Sequence, residues 1–364
     1  MSAPLAPDDV VATHAAAASN AREPLVVVAP LRAFLAQHGL VDGTGGELVV
    51  EPLGDGHSNV TLLVGCGGRE LVLRRPPRGP LPPSAHDVLR EARLLRALEP
   101  TAARVPRVLA VGDDPELIGA PFYLMERVRG EVLTSSLPVA LDTPAQRRAI
   151  GEELVDALVE VHGVDWRAVG LEGFSTRPEG YLERQLGRFL GLWEYNRTRD
   201  IAAVQSVGAW LRKHLPSSPA PTIVHGDYRL GNVMLAPDAP ARVSAVLDWE
   251  MATIGDPLAD VGYLCALWVQ RDDPPLGMFE LSGVTREDGF LTRDELVARY
   301  ERGSGRSMTD VRWYRTLALW KAAVFMEGNY RRAVAGSTDD PWLHGFGEGV
   351  VALAERAERL TRER

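Results

Sequence analysis

"VHGDYRLGN" (Val224 to Asn232), followed beyond the loop "APDAPAR" by "VLDWEMATIGDPLADVG" (Val246 to Gly262), is the stretch on which the fold turns. Taken alone, the first string reads either as a polar turn joining two strands or as a catalytic loop. The second string favours the loop. An aspartate, an asparagine five residues on, and a further strand ending in an aspartate meet the needs of a phosphoryl-transfer site. Asp227 would accept a hydroxyl proton, and Asn232 and Asp248 would hold a magnesium ion. The base must face the incoming hydroxyl and the metal ligands the phosphate oxygens, so separate short loops suit them. An amide and a carboxylate are hard oxygen donors, better matched to magnesium than to zinc. Glu250 is expected to touch metal or substrate, or to serve through a structural hydrogen bond. Asp256 and Asp260 are expected to cap or anchor the helix that follows.

Upstream of this stretch the pattern is that of a sheet. "ELVVEPL" (Glu47 to Leu53), "NVTLLVG" (Asn59 to Gly65) and "ELVLRR" (Glu70 to Arg75) alternate apolar and polar residues, and the glycine turns "GDGHS" and "CGGR" separate them. A helix should run through "SAHDVLREARLLRALEP", capped by Ser84, with Val88, Ala92, Leu95 and Leu98 on one face and a stop at Pro100. "PRVLAVG" and "PFYLMERV" complete a five-stranded antiparallel sheet. Beyond Val128 helical spacing dominates, first through Ile150, Leu154, Leu158 and Val161. Further helices are expected at 181–192, 201–214, 294–302, 309–330 and 347–360, around two short strands, "TIVHGD" and "VSAVLDW". The fold class expected is α+β, with a loose tail over 1–23, a small sheet lobe over 24–127, and a larger, mostly helical lobe over 128–364. A ligand would lie in the cleft between such lobes.

Composition narrows the functions open to such a chain. With 364 residues, 45% of them hydrophobic, there is enough apolar material for a two-lobed protein. No run approaches the roughly 18 apolar residues a membrane span needs. Residues 1–22 carry Asp8 and Asp9 and lack the basic leader of a signal peptide. Cys66 and Cys265 match no metal spacing, which suits a reduced, cytoplasmic compartment. A net charge of -9 argues against nucleic acid as a partner.

With these residues in view, the chain resembles the aminoglycoside phosphotransferase family, of protein-kinase-like fold, through its HGDxxxxN and aspartate-tryptophan-glutamate strings. The likeness runs from about Val49 to Gly262. Its N-terminal strings are most similar to the subgroup that also occurs fused to acyl-CoA dehydrogenases in some eukaryotes. The resemblance implies an ATP-dependent phosphotransferase with an alcohol acceptor, using ATP and Mg2+, and it implies that His225 props the catalytic loop. In "LGDGHSN" it implies that Gly56 closes over the phosphates, with Ser58 and Asn59 bonding them, although a glycine-bearing hairpin is also common in any sheet. Backbone groups at Glu126 and Val128 would meet the purine. One departure stands out: Arg74 occupies the place of the usual lysine, with Glu91 as its expected partner. A guanidinium stays charged and binds phosphate as a fork, so it can take over that task with altered geometry. The alternative is a surface ion pair.

The acceptor is announced by no motif. Arg312, Arg315, Lys321, Arg331 and Arg332 face the single acid Glu327 within 311–336, and the segment 181–216 is also rich in arginine. This balance suits an anionic hydroxylated small molecule, such as a hydroxyacyl-CoA, better than a polycation. The alternatives are a solvated basic helix face, an aminoglycoside O-phosphotransferase, and a nucleotide-binding pseudokinase without turnover.

Overall fold

Gly67 and Gly68 both take positive φ, 57° and 79°, and join the strands Val60–Cys66 and Arg69–Arg75 by the tight turn that their freedom at φ above zero permits. The computed structural model describes residues 4–42, 46–54, 58–79, 86–277, 280–336 and 341–363. They form two units, one of Met1–Thr101 with Val105–Val128, the other of Ala102–Arg104 with Arg129–Arg364.

In the first unit the elements are β1 (Val10–Val11), α1 (His14–Ala17), β2 (Val26–Val27), α2 (Val28–Gln37), β3 (Val49–Pro52), β4 (Val60–Cys66), β5 (Arg69–Arg75), α3 (Val88–Leu98), β6 (Val108–Gly112) and β7 (Phe122–Glu126). The expected five-stranded antiparallel sheet is present, in the order β3-β4-β5-β7-β6. Alternation places Leu62, Val64, Leu71, Leu73, Phe122 and Leu124 on one face, where Leu31, Phe34 and Leu35 of α2 pack against them. The face predicted for α3 is buried. Its cap is Asp87, whose carboxylate accepts from the Arg90 N–H at 2.9 Å; Ser84, the expected cap, lies outside the described residues.

The expectation of a loose tail over 1–23 is corrected. Its described part is packed: β1 pairs in parallel with β2, and Asp9 is buried, accepting from the Ala6 N–H at 2.7 Å and from Arg78 at 2.6 Å. Arg22 completes this cluster at 3.0 Å. A carboxylate with two guanidinium partners holds the segment in place, a pairing that alanine-rich composition does not announce.

In the second unit the order is α4 (Pro144–His162), α5 (Tyr181–Asn196), α6 (Ala202–Lys213), β8 (Thr222–Val224), β9 (Val233–Leu235), β10 (Val243–Val246), β11 (Thr253–Gly255), α7 (Leu258–Leu267), α8 (Arg293–Ser304), α9 (Val311–Val334) and α10 (Phe346–Arg362). The helix α9 is the spine, with α5, α6, α7 and α10 packed against it and Trp313, Tyr314, Leu317 and Trp320 buried. The two expected strands do not pair with one another. Instead β8 pairs with β11 and β9 with β10, making two antiparallel ribbons. At three or four residues each, these partners are too short to show a period.

Candidate active site

Between β8 and β9 the loop that contains Asp227 is fixed from beneath by its backbone. His225 is fully buried, and its Nδ1 accepts from the Asp227 N–H at 3.2 Å while its Nε2 donates to the Leu247 carbonyl at 2.8 Å. Those partners set the tautomer with the proton on Nε2. The ring also lies 4.7 Å from that of Trp249 and 5.7 Å from that of Tyr228. Tyr228 donates in turn to the Leu154 carbonyl of α4 at 2.6 Å. His225 therefore anchors the loop.

Asp260, on α7, does more than anchor its own helix. Its Oδ2 accepts from the His225 N–H at 2.6 Å and its Oδ1 from the Gly226 N–H at 2.8 Å. His162 of α4 adds a third contact, with Nε2 3.2 Å from Oδ2, and the Tyr300 hydroxyl donates to the other ring nitrogen at 2.8 Å. Burial holds the His162 ring below its usual pKa, in the neutral form that this arrangement uses. Asp256 takes the capping role, accepting from the Leu258 N–H at 2.9 Å and from the Tyr314 hydroxyl at 2.8 Å. Only glycine fits at 226: φ is 87°, and a Cβ there would stand 2.8 Å from the Met251 carbonyl oxygen.

On this base Asp227 keeps its carboxylate partly exposed, at 27%. The Asn232 amide nitrogen donates both to Asp227 Oδ2, at 2.7 Å, and to the Asp227 carbonyl, at 2.8 Å. Arg229 Nε lies 3.7 Å from Oδ1. On α7, burial first and then the negative charge of nearby Asp227 push the Tyr263 pKa well up. Both Asn232 bonds use nitrogen, so the amide oxygen is the end suited to a cation. Leu247 N–H donates to the Asn232 carbonyl at 2.8 Å, which brings the start of the LDWE string beside the asparagine. Asp248 follows with φ 63°, a left-handed backbone that a residue with a side chain adopts only where its surroundings impose it. An amide oxygen and a carboxylate fit magnesium, which takes its remaining ligands from phosphate and water. Glu250, next to buried Trp249, is half-buried.

The remaining predicted residues belong to the first unit. Arg74 Nε donates to Glu91 Oε2 at 2.9 Å, with the side chains 12% and 3% exposed, and Arg74 Nη1 donates to the Thr61 hydroxyl at 3.3 Å. The alternative of a surface ion pair is thereby corrected: the sheet and α3 enclose it. Arg75, its neighbour, is buried the other way and donates to the carbonyls of Leu25, at 2.5 Å, and Ile118, at 3.1 Å. Ser58 Oγ and Asn59 Oδ1 both meet His86 Nδ1, at 3.2 and 3.1 Å, and His86 has φ 58°. Gly56 lies outside the described residues. Glu126 ends β7 with its N–H donating to the Arg107 carbonyl at 3.0 Å, and Val128 is half-buried just beyond.

Sequence reasoning missed His86 and Tyr263. Tyr263 had a signal, because it stands three residues beyond Asp260 on one helix and so on a shared face. His86 had none, since its partners are 27 and 28 residues away.

The chain matches the model of the phosphotransferase enzyme family over residues 49–314. It is 35% identical over 305 residues to Acyl-CoA dehydrogenase family member 10 of Mus musculus, an alignment that covers 83% of this chain and 28% of that protein. The chain spans less than half the length of the curated relatives it matches. Among solved structures, a protein of Ralstonia eutropha JMP134, provisionally described as an aminoglycoside phosphotransferase, is 33% identical with a TM-score of 0.78, covering 92% of this chain and 97% of its own. A mutant of aminoglycoside phosphotransferase APH(4)-Ia, in ternary complex with AMP-PNP and hygromycin B, shares the fold at 16% identity, with a TM-score of 0.56 over 91% of this chain and 98% of its own.

Proposed function

The chain belongs to the phosphotransferase enzyme family, and on that premise we propose that it is a small-molecule kinase, moving the γ-phosphoryl group of ATP to a hydroxyl of an anionic metabolite. The observation that carries the reading is the clamp of Asn232 on Asp227, over a loop pinned by Asp260 and His225. Asp227 takes the proton of the acceptor hydroxyl as its oxygen bonds to the γ-phosphorus; the bond from phosphorus to the bridging oxygen breaks, and ADP leaves. Asn232 and Asp248 would hold magnesium, which would supply positive charge to the phosphates. Arg74, oriented by Glu91, binds the nucleotide phosphates, with Gly56, Ser58 and Asn59 assisting and the backbone at Glu126 and Val128 meeting the purine. The buried Arg74–Glu91 pair supports turnover over nucleotide binding without it, because that reading rested on the missing lysine.

For the acceptor, similarity to a protein named for acyl-CoA dehydrogenation supports a hydroxyacyl-CoA or a related hydroxy compound. An aminoglycoside is the competing acceptor, by likeness to the aminoglycoside phosphotransferases. Magnesium-dependent ADP release, screened over hydroxyacyl-CoAs, free hydroxy acids and kanamycin-like compounds, tests both. Turnover of the aminoglycosides alone would overturn the acceptor; release with no compound, and none with water, would overturn the kinase.

A further inference from the structure

Two cations on facing helices of the second unit have no carboxylate partner among the described residues: Arg188 on α5 and Lys321 on α9. Their neighbours on the same helices are committed. Arg184 donates to the carbonyls of Arg177 and Glu179, Arg312 to that of Glu363, Arg331 to that of Tyr195, and Arg332 to the Asn329 side chain. Arg315 is the exception: its buried Nε has no hydrogen-bond partner among the described residues, but two carboxylates, Glu363 and Asp273, act on it.

Lys321 is half-buried, and its ammonium sits 4.8 Å from the centre of the Phe189 ring, the residue after Arg188. Phe189 in turn lies against Trp320, with ring centres 6.4 Å apart. A half-buried ammonium beside a second cation, with no ion-paired carboxylate among the described residues, is an unfavourable arrangement that a bound anion relieves. Burial, and then Arg188, push the Lys321 pKa down to about 8, and Asp260 opposes them. Asp260 is the carboxylate that clamps the catalytic loop, so Lys321 lies within electrostatic reach of that loop. The buried Tyr181 hydroxyl, at the start of α5, shares the field of Asp260 and Arg188. Asp260 attracts Lys321 across space but forms no ion pair with it, its two oxygens already holding His225, Gly226 and His162.

We propose that Arg188 and Lys321 form an anion-binding subsite that holds a carboxylate or phosphate group of the acceptor. This rests on the reading of Asp227 as the phosphotransfer base, and it assigns the choice of acceptor to two residues outside every motif. A guanidinium and an ammonium on facing helices bind one anion from two sides, and they repel a polycation.

The chain has only two lysines, Lys213 and Lys321, so lysine labelled with 13C at Cε gives two side-chain signals, assigned with Lys321→Arg. Adding 3-hydroxybutyrate to the full chain tests for a carboxylate, and adding coenzyme A tests for phosphate. With either one the Lys321 signal should move and its pKa should rise by about one unit, corresponding to roughly tenfold preference of the anion for the charged amine, while Lys213 stays still. The uncharged 1,3-butanediol should do nothing. Arg188→Ala should weaken the response about tenfold, on the scale of one lost charge-assisted contact, and Arg184→Ala should not. A Lys321 signal indifferent to both anions, or moved equally by the diol, overturns the subsite. If it is indifferent while magnesium-dependent ADP release persists, the subsite alone fails; if ADP release is absent and Lys321 still responds, the kinase reading alone fails.

Discussion

The Asp227 loop and the Arg74 strand each present one charged side chain, and they hold it by opposite means. Asp227 stands on backbone: Asp260 grips two successive N–H groups, His225 ties the loop to Leu247, and the Asn232 amide donates to both the carboxylate and the main-chain carbonyl of Asp227. The Arg74 guanidinium is held by side chains, among them Glu91 at 2.9 Å and Thr61 at 3.3 Å. A group fixed through backbone keeps its place when its own side chain is altered; one oriented by an ion pair depends on that partner's charge. The loop should therefore fail as a unit, and the arginine should respond by degrees.

The severest test removes the loop's floor. Asp260→Ala leaves two backbone N–H groups and a buried histidine without their acceptor, and should cost about 3–5 kcal/mol of stability in urea unfolding. A loss under about 1 kcal/mol would erase the contrast with Arg74. Next is the side chain the floor supports. Asp227→Asn should keep the fold and the nucleotide affinity, yet lower kcat by roughly 100-fold or more, since only the base is lost. Near-normal turnover would remove Asp227 from the chemistry.

Asp248→Ala should abolish the magnesium dependence of nucleotide binding, and Asn232→Ala should weaken it less, because a carboxylate contributes charge as well as an oxygen. Nucleotide titrations with and without magnesium separate the two, and equal effects would contradict the assigned ligands. For the strand, Arg74→Ala should raise the KM for ATP about tenfold, the scale of one lost charge-assisted contact, and Arg74→Lys should recover part of it. Arg75 offers no reserve, since it is buried against carbonyl groups. An unchanged KM in Arg74→Ala would therefore send the phosphate role outside this strand.

The mildest effect is one of pH. His162 is held neutral below the ordinary value near 6.5, so under about pH 6.5 the unfolded chain takes a proton that the folded chain refuses. Stability should fall as pH drops from there to the folded pKa, by at most about 1.4 kcal/mol per pH unit. Chemical unfolding at pH 7.5, 6.5 and 5.5 would show it, and His162→Gln should flatten that part of the slope.

These contrasts also mark how far residues alone could be read. The meeting of Asp227 with Asn232 was legible because the two stand five residues apart in one short loop, and Asp248 was marked as a candidate by the string just past β10. The hairpin turn at Gly67 and Gly68 and the buried face of α3 were legible for a similar reason: backbone freedom and helical period act within a few residues. The place of Arg74 opposite Glu91 was legible through family resemblance, and the packing then showed that the pair is enclosed. The segment before Pro24 misled, because its alanines suggested a tail while Asp9 found Arg22 and Arg78.

What the sequence by itself determined was the set of reactive groups, their spacing, and the elements that carry them. Local bonds and side-chain period decide these, and both operate over a few residues. Only the tertiary structure decided which distant groups meet: Asp260 under His225, Tyr263 near Asp227, His86 between Ser58 and Asn59, and Arg188 and Lys321 without a carboxylate partner among the described residues. Such meetings depend on how helices and ribbons far apart in the chain pack. A charged side chain shows nothing of its partner until burial has removed water as the alternative.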